Sequence, residues 1–164
     1  MATANQHPQA GTLVDESFMS ADDLRSYMAD LEMARASRLQ TAMGKAEEAQ
    51  RKLVETLRET IVVTPEKIEE IKHNIAFKTR AAAKRGETEV LVMRFPSQLC
   101  SDGGRAINNA EAGWPDTLTG RPKQAFEFWK DHLQPAGYRL RALIIDWPGG
   151  LPGDVAFFLS WSEK

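Results

Sequence analysis

The stretch Cys100-Ser101-Asp102-Gly103-Gly104-Arg105 holds the residue types most suited to chemistry. Glycines at a strand-to-helix junction can present backbone amides to an anion, and Arg105 could add a charged fork for a phosphate or carboxylate. The spacing matches neither a Walker loop nor a dinucleotide fingerprint. An internal cap, with Asp102 accepting amides, is the competing reading. Cys100 as a nucleophile would need a histidine base and an orienting acid, for which His132 and Asp146 are the candidates. The competing reading is a semi-buried cysteine acting as a small hydrophobe. Asp102, Asp146 and Asp154 could together offer oxygen ligands to a hard cation. The competing reading, which the sequence favours, is that Asp146 and Asp154 end strands and shape the hairpin turn. No Cys/His spacing suits zinc. No catalytic residue, metal ligand or cofactor is assigned from the sequence.

Two further groups could bind macromolecules. Between residues 66 and 85, Lys67, Lys72, Lys78, Arg80, Lys84 and Arg85 outnumber Glu66, Glu69 and Glu70, with His73 among them. Lys78, Arg80, Lys84 and Arg85 are the candidate polyanion contact, with salt-dependent nucleic-acid binding as the expected property. Cations also belong near a helix C-terminus, where they complement the dipole, and only Phe77 could stack on a base. Trp147-Pro148-Gly149-Gly150-Leu151 is a candidate partner-binding loop, because a tryptophan on a proline-stiffened turn buries a large area with few rotors. Trp114 and Trp161 also fall near loops or strand ends, where an indole can instead cap a small core.

These groups are carried on a chain of 164 residues with net charge −2. That balance excludes a generally basic nucleic-acid coat. One cysteine cannot form an internal disulfide, and no apolar run reaches the ~18–20 residues of a membrane span. Residues 1–11 lack the basic start and apolar run of a signal peptide. A cytoplasmic setting is the expectation, with no membrane association.

Residues 1–18 read as a flexible arm. Ser20 caps the next element, with Asp22 and Asp23 in its first turn. A long helix then carries an apolar stripe through Leu24, Met28, Leu31, Arg35, Leu39, Ala42, Ala46, Ala49, Leu53 and Leu57. Steps of three and four match a coiled-coil seam, and its other faces carry charges of both signs. A long helix cannot bury such a stripe alone, so it needs a partner. The expected oligomerisation seam is Leu31, Leu39, Ala42, Ala46, Ala49, Leu53 and Leu57, and a homodimer is the simplest product. The alternative is a helix folded back on its own C-terminal block. Thr64-Pro65-Glu66 starts a second helix that stops at Gly86, and the short link through Val62 and Val63 suggests a helical hairpin.

Beyond Gly86 the chain alternates. Residues 88–95 form a strand apolar on both sides, which predicts a central place in a sheet. Ser97 to Ala112 reads as a helix, irregular around Gly103 and Gly104. A further helix opens at Pro122 with Phe126, Trp129 and Leu133 inward. Two strands follow, 138–146 and 154–161, joined by the Trp147–Gly153 turn. The fold class is α+β in the order α-α-β-α-α-β-β. Its parts are an arm (1–18), a helical hairpin for oligomerisation (19–86), and a compact α+β domain with three strands (87–164). The functional expectation is a non-enzymatic oligomeric assembly or adaptor protein. It self-associates through the long helix and binds a protein partner through the C-terminal block. The alternatives are a nucleic-acid-binding dimer and a small-molecule anion binder or small enzyme around Cys100–Arg105.

Overall fold

The structure, a computed structural model, describes residues 18–163. The arm expected over residues 1–18 therefore lies, except for Phe18, outside the described residues. Helix α1 runs Ala21–Arg58. Ser20 starts it as the sequence predicts: its Oγ accepts a hydrogen bond from the Asp23 amide at 3.1 Å. The chain divides into two compact units between Glu48 and Ala49, within this helix. No residue of α1 is buried. Gly44 lies in its interior, and a Cβ added there meets nothing within 4 Å. Gly44→Ala should therefore stabilise the helix by about 1 kcal/mol, read as a raised midpoint for loss of helical circular dichroism.

In the second unit, α2 spans Pro65–Lys84, and Thr64 Oγ1 accepts from the Lys67 amide at 3.1 Å. Its end is a Schellman motif: Glu87 N–H donates to Ala82 O and Gly86 N–H to Ala83 O. Three strands follow, β1 (Glu89–Pro96), β2 (Arg139–Ile144) and β3 (Asp154–Ser160). All pairings are antiparallel and the order is β1-β3-β2. The strand predicted to be central is thus an edge, and β3 occupies the centre. A register shift between Leu91 and Met93 supplies the reason. The irregularity breaks the alternation, so the consecutive Val92 and Met93 line the same cavity. An apolar run does not then require burial on both faces.

The region expected as one helix over Ser97–Ala112 is broken. A 3-10 turn (Ser97–Leu99) is followed by a bend at Gly103 and Gly104, both at positive φ (70° and 91°), before the single-turn α3, Arg105–Asn108. Few side chains adopt that backbone, so glycine fixes the break. Helix α4 (Gly120–Phe128) continues into a π-helical turn, Trp129–Leu133. Phe95, Leu99, Cys100, Ile107, Leu118, Ile144, Val155 and Phe157 form the buried core, with Phe95 and Phe157 edge to face at 5.0 Å. Val54 and Leu57, from the last turns of α1, pack against it. On the opposite sheet face Arg141 lies over the Phe158 ring and pairs with Glu89 at 2.7 Å. Among the described residues no helix is long and apolar enough to cross a membrane.

Candidate functional site

The apolar stripe of α1 is open along most of its length. Leu24, Met28, Leu39 and Leu53 are exposed large hydrophobics, Leu39 by 63% and Leu53 by 45%. Ala42, Ala46 and Ala49 between them are exposed as well. Leu31 sits at the margin, at 36%. Leu57 differs, because it packs on the core of the second unit, so the open stripe runs from Leu24 to Leu53. Isolated exposed leucines are ordinary; here exposed large apolar residues recur along one helical row, with Arg35 and three alanines between them.

A second feature was not legible in the sequence. The second unit contains an apolar cavity of about 320 Å³. Its floor is the sheet, through Val92, Met93, Leu140, Phe157 and Leu159. Ile71 and Ile75 of α2 form one wall, and Ala125, Phe128 and Trp129 of α4 and its π turn form the other. Lys78 and Arg121 are the charged residues lining it, and no acidic residue does so. The segment entering α2 is fastened to α4. The Ile61 amide donates to Gln124 Oε1 at 3.0 Å, Gln124 Nε2 donates to Ile61 O at 2.8 Å, and Arg121 Nε donates to Glu59 O at 3.1 Å. At the other end Trp129 Nε1 donates to Tyr138 O at 3.0 Å.

No protein family, curated protein or solved structure matches this chain. Functional reading therefore rests on its own geometry.

Most of the polar candidates are engaged within the fold, whereas Arg105 is exposed. Cys100 is buried, and burial pushes its thiol up to about 11, against a smaller opposing effect of the hydrogen bond with Thr117. A thiol held neutral at pH 7 is a poor nucleophile. Native Cys100 should alkylate far more slowly than the unfolded chain. The sign of the linkage is fixed by the raised value: the contribution to stability is complete below the ordinary thiol pKa and lost as pH rises towards about 11. Thermal midpoints of wild type and Cys100→Ala, compared between about pH 8 and 11, check this, and the wild type should fall more steeply.

His132 stacks on Phe128 with ring centroids 4.7 Å apart. Asp146 Oδ1 accepts the Asp154 amide at 2.5 Å, and Arg94 Nε donates to Asp154 at 2.7 Å. Asp102 occupies the amides that an anion would need, accepting from Gly104 N at 3.0 Å and Ala106 N at 2.8 Å. Among the described residues no three His, Cys, Asp or Glu side chains are grouped to hold a metal.

The basic end of α2 is spread around the helix. Lys78 and Arg85, seven residues apart, share one side, whereas Arg80 and Lys84 share another. Arg85 pairs with Glu87 at 2.5 Å, and Lys78 lines the cavity. The tryptophans divide as well. Trp114 packs edge to face on Phe126 at 5.6 Å, and Trp161 packs on Tyr138 at 6.4 Å. Trp147 and Leu151 remain exposed around the Pro148–Gly150 turn.

Proposed function

We propose that this chain is an assembly or adaptor protein that self-associates through α1 and presents its α+β unit to a protein partner. The observation that carries this reading is the uncovered row from Leu24 to Leu53 on a 38-residue helix. Fully burying one leucine contributes about 1.5–3 kcal/mol, so several in register suffice for a stable pairing. A second copy is the occupant that the residue order favours. In antiparallel register, with Leu39 opposite Ala42, the same offset sets Arg35 opposite Ala46, Leu31 beside Ala49 and Met28 opposite Leu53. Through the middle of the seam large side chains then meet small ones, as close packing requires, and Met28 meets Leu53 at each end. A parallel in-register pair would set Arg35 against Arg35 and alanine against alanine. Trp147 and Leu151, exposed on a stiffened turn, are the proposed partner contact.

Absolute mass from light scattering of the full chain tests the reading. A species of twice the 18.3 kDa chain mass, with the ultraviolet absorbance ratio of protein alone, is expected. A monomer at all workable concentrations would remove it, and co-eluting nucleic acid would favour the polyanion reading of α2.

A further inference from the structure

We infer that the cavity between α2, α4 and the sheet binds a small amphiphile: an apolar chain carrying a single carboxylate. Its volume, about 320 Å³, sits at the lower end of the range typical of small-molecule sites. The cavity is partly open to solvent, and close packing would tend to collapse an apolar space this size between two helices unless something held it open. Here the fastenings are identifiable. Gln124 clamps both backbone groups of Ile61, and Arg121 holds Glu59 O, which fixes where the chain enters α2 relative to α4. The opposite wall is shaped by the π turn, a rare conformation that is over-represented at functional sites.

The chemistry of the lining selects the ligand. The floor and most of the walls are aliphatic and aromatic, which suits a hydrocarbon chain, and the uncharged polar side chains in the lining are Asn74 and Gln124. The Gln124 side chain has both ends committed to Ile61, so it offers little to a polar head. Head-group recognition falls to Lys78 and Arg121, with no acidic residue in the lining to oppose a negative charge. Lys78 is exposed, which places a cation at the rim, where the head of an inserted chain would meet water. Arg121 engages Glu59 O through Nε, and a guanidinium fork pairs naturally with the two oxygens of a planar carboxylate.

Titration calorimetry of the full chain with sodium decanoate, below its micelle concentration, tests the proposal. Saturable binding of one decanoate per chain is expected. Decanol should bind about tenfold more weakly, because it lacks the charge that the two cations meet. Decyltrimethylammonium should not bind. Lys78→Gln should weaken decanoate about tenfold while leaving the thermal midpoint unchanged, since Lys78 is exposed. Ile75→Phe, which adds bulk inside the cavity, should lower affinity by more than tenfold, and retained circular dichroism would show that the fold survives. Leu39→Asp should bind decanoate like the wild type, which separates this site from self-association through α1. No saturable binding up to about 1 mM decanoate would overturn the proposal. So would binding that is unchanged in both Lys78→Gln and Ile75→Phe, because that amphiphile would be adsorbing to exposed apolar surface elsewhere.

Discussion

Leu39→Asp is expected to convert the proposed dimer to a monomer, with the mass in light scattering falling to that of one chain. Leu39 is 63% exposed in the single chain, so the substitution leaves the fold of each chain intact. In the pair it places a carboxylate against the alanine-rich middle of the seam, once from each copy. A charge left unpaired in an apolar interface costs about 3–5 kcal/mol. Discounting heavily for the partial solvation of a two-helix seam, two such charges still weaken association by at least about a thousandfold. Leu53→Asp should act in the same direction with a smaller effect, being nearer the end of the open stripe. Unchanged mass in both variants would show that the stripe is not the interface. Because pairing stabilises the folded partner, the helical signal of wild type should also depend on protein concentration, and that of Leu39→Asp should not.

Orientation can be read from the same helix. Ala46→Cys places identical thiols face to face only in a parallel pair, and an oxidised homodimer would indicate that arrangement. In the antiparallel register Ala46 faces Arg35, so a mixture of Ala46→Cys and Arg35→Cys chains should form the mixed disulfide instead. Cys100 does not complicate the readout, since it is buried. Arg35 itself is the charged member of the row, and a polar residue in a seam fixes register at a cost in stability.

What was legible in the sequence divides along physical lines. Local signals held: Ser20 and Thr64 accept the amides expected of helix caps, and α2 ends in the motif that Gly86 predicts. These depend on a few neighbouring residues, and short-range hydrogen bonding determines them. The place of β1 was not legible, because the irregularity between Leu91 and Met93 lets adjacent residues share a side, and a period-two reading takes that as burial on both. The irregularity expected at Gly103 and Gly104 proved to be a full break, because the left-handed backbone there ends any helix, leaving only a 3-10 turn and a single-turn α3. The cavity was invisible for a different reason. Lys78 and Arg121 come from separate helices, and only the folded sheet brings them to one lining. Lys78 looked like one member of a basic cluster, because sequence proximity hides that it and Arg80 leave different sides of α2.

Gly120→Ala is expected to be strongly destabilising to the second unit. Gly120 opens α4 at φ 60°, and a Cβ there would run into the carbonyl oxygen of Leu57 and lie 2.8 Å from Arg58 Cα. Both obstacles are backbone, so neither can move aside as a flexible side chain would. The left-handed conformation adds roughly 1 kcal/mol for a residue with a Cβ. Relief requires the last turn of α1 to back away from α4, which would strain the Arg121–Glu59 contact and the Arg58 Nη2 bond to Gln98 O at 3.2 Å. A loss of about 3 kcal/mol or more follows, which corresponds to a fall of roughly 10 °C in the thermal midpoint of a unit this size. Gly113→Ala is the matched control, since that glycine has φ −82° and an added Cβ there meets nothing within 4 Å. It should leave the midpoint within about 2 °C, as surface changes do. If both variants melt alike, the close approach of the two backbones at Gly120 does not hold the last turn of α1 within its unit, and the packing of Val54 and Leu57 on the core, with the Arg58 and Arg121 hydrogen bonds, must do so.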